Sequence, residues 1–482
     1  MTDLLVFLFF TQIISPNIFY QDNYRIIPPL GRIKSIAVTP FEVIAVNDDY
    51  LLIFDRNPFQ MKSSFSFDQP IELVGFDEQY NEIWLSGRKK MLRFNTHSSI
   101  LYEYMITEDI GRFGIAEDYI YVDGVNDYSI EKRTGAVKNL SAFPGTVKWF
   151  QKTGDTDLKK YPWLSPYVYF DDMSRSQVPN QSFPITAIAD GGLEIFVGTD
   201  RYGLLKYNSI SWQKERSVFG PLGINLRQVR RFEDKIYFIS ESGVSILPQG
   251  AKDWQYLRTR AHPSGFQIYK GTPVFGLRMN LFSFENGVSI TLNSTPNEII
   301  ALEGDNNNLY IGTTQGMFAL TKTSGKLTPF GPSKYSVYAI YPAYDRILSG
   351  GEFGLYSYDR NDKSWTQIMP FGIKDIVKFK DEYFLLGLNN QLIRYKPPED
   401  ISDADTNWVM LPYFNIYDID ADSDVVYCAS YAGIYYFEPE SELFKVIYNL
   451  PRIKYDHVFV VNQNILAVSS KGIFQLPNQK RD

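Results

Sequence analysis

The chain has 482 residues and a formal net charge of -7, from 48 Lys and Arg against 55 Asp and Glu. With 44% hydrophobic and 21% charged residues it is composed like a folded protein, which excludes a disordered chain. The acidic balance excludes a general nucleic-acid binder, whose surface must offset phosphate charge.

The N-terminus opens with an apolar run over residues 4–14, interrupted by Thr11 and Gln12. It is too short to span a bilayer and has the length of a leader's apolar region. Residues 1–22 are therefore read as a signal peptide, which predicts export to the periplasm or the exterior. No later stretch reaches ~18 apolar residues, so no membrane-spanning helix is expected.

From residue 41 the chain repeats. The first copies are FEVIAVNDDYLLIFD from Phe41, NEIWLSGRKKMLRFN from Asn81 and DYIYVDGVNDYSIE from Asp118. Later copies include LEIFVGTDRYGLLKYN from Leu193, NLYIGTTQGMFAL from Asn308 and DVVYCASYAGIYYFEP from Asp424. Equivalent positions are Ile44, Trp84, Tyr121, Phe196, Tyr237, Phe275, Tyr310, Leu348, Phe384, Tyr427 and Leu466. They lie 35 to 43 residues apart, except for one gap of 75 between Tyr121 and Phe196. In each copy an apolar run reads as a buried strand. A hydroxyl residue, two or three polar residues and a Gly follow, as in a hairpin turn. A strand of period two comes next. A third strand, often carrying a tryptophan (Trp212, Trp254, Trp365, Trp408), and a segment leading onward complete the unit.

Four strands per ~40 residues is the period of a β-propeller blade. The chain is therefore expected to be all-β: two tandem β-propellers of 11 or 12 four-stranded blades, each of ~38 residues. The expected division is 23–260 and 261–482, with six plus six or five plus seven blades. An irregular insert or connector spans 142–184, with room for a degenerate blade. The last unit lacks an outer strand, and residues 24–29 resemble one. That strand is expected to close the final blade, making one ring discontinuous in sequence.

The three units IFVGTDRYGLLKY (from Ile195), LYIGTTQGMFAL (from Leu309) and ILSGGEFGLYSY (from Ile347) resemble the two-component regulator propeller repeat. The resemblance extends over nearly the whole chain from about Ile33. It implies paired propellers like those in the periplasmic sensor regions of hybrid histidine kinases, or a stand-alone exported member without a kinase region. The motif defines a blade and carries no catalytic residue.

Chemistry-bearing residues are sparse. A lone Cys428 excludes an intrachain disulfide and a cysteine cluster. His97, His262 and His457 stand far apart, outside any metal-motif spacing. No metal, no cofactor and no catalytic residue is assigned. Asp418, Asp420, Asp422 and Asp424 alternate as Ca²⁺ ligands do, but the central Gly and distal Glu of such loops are missing, which favours an acidic turn. Arg227, Arg230 and Arg231, and Arg88, Lys89 and Lys90, read as solvated surface. Tyr202, Phe353 and Tyr431 occupy hairpin tips that repeat geometry gathers on one face. Trp163 and Tyr167 lie in the aromatic, proline-rich insert. These five are the candidate ligand-binding residues, for a protein or glycan partner.

Three functions fit: an exported non-enzymatic binding or scaffold protein, a ligand-sensing subunit of a signalling system, or a propeller lyase or glycosidase. The last requires paired carboxylates in a ring's central channel.

Overall fold

The computed structural model describes residues 18–19 and 23–478 except 97, 107–108, 170–180, 251–252, 286–287, 332–333, 399–406, 413–414 and 439–440. Its strands form eleven antiparallel sheets, eight of four strands and three of five. The one α-helix among the described residues is Asp155–Lys159. The chain is a β-propeller protein with two compact units.

The second unit is a ring of seven blades. In chain order they are blade 1 (226–257), blade 2 (263–294), blade 3 (299–329), blade 4 (337–369), blade 5 (373–410), blade 6 (416–446) and blade 7 (457–477). The first strand of each blade lies beside the first strands of the blades before and after it. His457–Val461 also meets Leu226–Phe232, which closes the circle. Blade 7 takes its outer strand from the N-terminus: Arg25–Ile27 pairs antiparallel with Gly472–Pro477. Adjacent blades bury apolar faces on each other. Between blades 4 and 5, for example, Leu348 and Leu355 meet Ile373, Ile376 and Leu385.

The hairpin chemistry follows the repeat. Thr313 Oγ1 donates to the Gly316 carbonyl at 2.7 Å, and Ser430 Oγ to that of Gly433 at 2.9 Å. Gly354 has φ +141°, a region that penalises any Cβ. Asn390 stands in for this glycine at φ +64°. These hairpins join the second and third strands of each sheet. The segment that leads out of one repeat is the innermost strand of the next blade, so the repeat read from sequence begins one strand late.

The first unit holds four blades: 33–67, 73–105, 112–140 and 182–217. Each blade buries one face against a neighbour. Phe65 and Phe67, for instance, meet Phe94 of the next sheet. The expected six-plus-six or five-plus-seven split is thus four plus seven. The boundary falls at Gly220 and Pro221 rather than at 260, because blade 1 completes the second ring.

The insert supplies no twelfth blade among the described residues. Lys148–Gln151 adds to the inner edge of the 112–140 sheet, and Tyr167–Tyr169 to that of the 182–217 sheet. Both satisfy edges that a bare blade leaves unpaired. Ile18–Phe19, inside the segment read as a leader, pairs with Gln60–Phe67. The rest of residues 1–22 lies outside the described residues.

Candidate functional site

The charged side chains of interest collect where the seven innermost strands face the ring's channel. In blades 1 to 6 that strand begins with a bulge, and the residue just past it is Gln228, Gly265, Ala301, Ala339, Asp375 or Asp418. His457 takes the matching place in blade 7. The next residues along, Val229, Phe266, Leu302, Ile340, Ile376, Ile419 and Val458, are all buried between blades. Strand alternation therefore turns the first set towards the inner strand of the next blade, as Gln228 with Phe266 N, Gly265 with Leu302 and Asp418 with Val458 N show. Two residues further a second tier holds Arg230, Gln267, Glu303, Tyr341, Val377, Asp420 and Phe459.

Inner strands leave N–H groups along their channel edge, and the polar side chains of these tiers take them. Gln228 Oε1 accepts from Phe266 N (2.8 Å), Asp418 Oδ2 from Val458 N (3.0 Å), and Asp420 Oδ2 from Val460 N (2.7 Å). His457 Nδ1 lies 3.3 Å from Asp418 Oδ2. Glu303 pairs with Arg230 and accepts from Gln267 Nε2 at 2.8 Å. Asp375 accepts the Ile376 N–H at 2.8 Å, its one hydrogen bond among the described residues. Lys374 turns away and donates to Asn390 Oδ1 at 2.6 Å.

These groups titrate abnormally. Burial, helped by the charge of Asp418, pushes the Asp375 carboxyl well above the usual carboxylate range. Burial raises Asp420 to about 7 against the two N–H groups that it accepts. Burial also raises Glu303 despite Arg230. Burial lowers Lys374. Burial opposes a charge on His457, but the bond to Asp418 and the charges of Asp418 and Asp456 outweigh it and raise it. A carboxyl that burial holds protonated and the His457–Asp418 pair thus share one end of the inner strands. Cys428 is buried, and burial raises its thiol.

That end is also the hairpin end. Leu388 N donates to the Gly372 carbonyl (2.9 Å), Ile416 N to that of Asn390 (3.1 Å) and Tyr455 N to that of Ser430 (2.9 Å). The hairpins thus sit beside the connections that enter the inner strands. Phe353 (56% exposed) and Tyr431 (65%) stand on hairpins of blades 4 and 6, and exposed Leu388 on that of blade 5. Phe371, also exposed, stands on the connection into blade 5. Phe371 packs edge-on against Trp408 of blade 5's outermost strand at 5.3 Å, and Phe353 against Tyr335 at 5.5 Å, so four exposed apolar groups share the hairpin end of three adjacent blades.

The remaining candidates lie elsewhere. Tyr202 is in the first unit, 2% exposed and stacked on Phe183 at 4.6 Å. It is a packing residue, because its turn folds back under Arg216. Trp163 and Tyr167 also belong to the first unit. Trp163 is 36% exposed and meets Trp212 edge-on at 4.8 Å, while Tyr167 is exposed on its strand. Trp212, absent from the sequence candidates, holds φ +58° with its ring in solvent.

The alternating aspartates divide. Asp418 and Asp420 accept from the inner strand of blade 7, whereas Asp422 is a turn acceptor for Asp424 N (2.7 Å) and Val425 N (2.9 Å). Arg230 is paired inside the channel rather than solvated. Lys90 pairs with Glu103 at 3.0 Å. His97 lies outside the described residues. Among the described residues, no group of three or more His, Cys, Asp or Glu is placed to hold a metal ion. No described helix is long and apolar enough to cross a membrane.

No family profile matches the chain, and no curated protein matches it. Solved structures do. Two structures of the extracellular domain of BT4673 from B. thetaiotaomicron are 12% identical. One is described as a one component system and covers 93% of this chain and 76% of its own, at a TM-score of 0.45. The other, described as a hybrid two component system, covers 92% and 70%, at 0.46. The WD40 propeller domain of Doa1, 12% identical, covers 52% of this chain and 92% of its own at 0.41. The assignment of the fold rests on the sheet order and ring closure described above.

Proposed function

We propose that the protein is an exported, non-enzymatic binding propeller that presents the hairpin face of its seven-bladed ring to a protein partner. One observation carries this reading: Phe353, Phe371, Leu388 and Tyr431 are all exposed at the hairpin end of adjacent blades. A cluster of exposed large apolar groups on one face suits a partner's surface better than water. The resemblance to the two-component regulator propeller repeat supports the same reading, with the partner a membrane protein of the cell envelope.

The test is affinity capture from the source organism's envelope extract. The full chain serves as bait beside a Phe353→Ala/Tyr431→Ala variant, with quantitative mass spectrometry. A protein enriched by the wild type and reduced at least tenfold by the variant is the expected result. Equal capture by both baits, or no capture, overturns the assignment of this face.

A second reading, a ligand-sensing subunit, draws on Asp375 and His457 beside Asp418, since titratable groups with shifted affinities suit a small ligand. Trp163 and Tyr167, with Trp212, offer a separate aromatic surface for a glycan on the first unit.

A further inference from the structure

Two opposite charges of the first unit are buried against each other. Asp77 ends the first strand of the 73–105 blade, and Lys132 follows the strand Asp127–Glu131 of the 112–140 blade. Both side chains are 2% exposed, and Lys132 Nζ lies 2.6 Å from Asp77 Oδ2. Neither atom has an aligned hydrogen bond among the described residues. The other oxygen, Oδ1, accepts from Gln79 N at 3.1 Å. The Tyr80 ring centre stands 5.3 Å from Nζ. In the same interface Trp84 stacks on Tyr104 at 5.5 Å and packs with Phe113 and Ile130 of the other blade.

A third ionisable group completes the set. Glu82 stands directly opposite Asp77 in the register of its hairpin, so the two side chains share one face about 5 Å apart. Burial raises the Glu82 carboxyl against the charge of Arg93, and the charges of Asp77 and Lys132 also reach it. Arg93 lies 3.6 Å from Glu82 and donates to the Lys132 carbonyl at 2.8 Å, which ties the Lys132 backbone to the Glu82 side. A buried ion pair without aligned hydrogen bonds is costly to keep. Burial lets the neutral amine and acid compete with the ions, and a neutral amine can attack a carboxyl held at contact distance.

We propose that Lys132 and Asp77 condense into an isopeptide bond, a covalent cross-link between the two blades, with Glu82 carrying the protons. Lys132 Nζ attacks Asp77 Cγ; the Nζ–Cγ bond forms and the Cγ–Oδ2 bond breaks. Of the three ammonium protons, one stays on the amide nitrogen. Two pass to Oδ2 by way of Glu82, and that oxygen leaves as water. Nothing is oxidised or reduced, and charge is conserved because one cation and one anion disappear together. Gln79 N holds Oδ1, which bears the charge of the tetrahedral intermediate and becomes the amide carbonyl.

The experiment is mass spectrometry of the purified full chain, denatured and digested with trypsin, with thermal melts to check folding. Expected is a branched peptide that joins the segments around Asp77 and Lys132, lighter by one water than their sum, with no cleavage after Lys132. Lys132→Met should yield no branched peptide. Glu82→Gln should fold and lower the linked fraction at least tenfold.

Separate Asp77 and Lys132 peptides from a folded wild-type chain overturn the inference. So does a lost water without a branched peptide, as a cyclised aspartate would give. If Lys132→Met fails to fold, the wild-type branched peptide decides alone. Linkage undiminished in Glu82→Gln overturns the part given to Glu82.

Discussion

At the scale of single residues, the channel carboxylates trade stability for placement. Asp420 accepts Val460 N and Ala421 N, yet burial raises it to about 7 from 3.8. A carboxyl raised on folding binds its proton more tightly in the native state. Stability therefore grows as pH falls through 7 and is lost as pH rises through it. Asp420→Asn retains an acceptor for Val460 N without the charge. At pH 8 the variant should be more stable by about 1–2 kcal/mol, allowing for solvent at a half-buried group. The gain should shrink through pH 7 and vanish near pH 4. Urea unfolding across that range measures it, and a gain that is constant with pH refutes the assignment. Asp418 and Asp420 were visible in the sequence as part of an alternating run. Asp375 was not, since nothing local distinguishes Ile-Lys-Asp-Ile from other strand starts. Its significance comes from a neighbour 43 positions away in the adjacent blade.

At the scale of the element, the hairpin governs each blade. Gly354 holds φ +141°, and a Cβ there would stand 2.1 Å from the Met369 carbonyl oxygen. Gly354→Ala should therefore cost about 1–3 kcal/mol in urea unfolding, through backbone strain and displacement of Ser364–Met369. A cost below ~0.5 kcal/mol, the usual range for a neutral surface change, would contradict that geometry. The hairpins were legible because hydroxyl, polar pair and Gly fall within a few residues and act on one turn. The inner-edge strands Lys148–Gln151 and Tyr167–Tyr169 were not. Their pairing partners fill an edge that exists only once the blades have formed. For the same reason nothing local told whether the hairpin residue Tyr202 packs or faces a ligand, and it stacks, buried, on Phe183.

At the scale of the whole chain, the seven-bladed ring is closed by its N-terminal strand. Ile26 and Ile27 are buried, and Tyr24 meets Phe474 edge-on at 5.4 Å. A chain beginning at Pro28 loses that outer strand and leaves Gly472–Pro477 with an open edge. Hydrogen exchange should accelerate at 472–477 by at least tenfold, and the melting temperature should fall by several degrees. A chain beginning at Asn23 should keep that protection. Equal protection in both chains would show that blade 7 closes without its N-terminal strand.

Strand identity, blade length and the closing strand could be read from residues alone. They depend on period two, on glycine where φ is positive and on a missing partner strand, all encoded over a few neighbours. The division into four and seven blades, the domain boundary and the channel cluster could not. They depend on which apolar faces meet and on how far each blade turns against the next. That angle is a sum over many interblade contacts, and no short stretch of the chain records it.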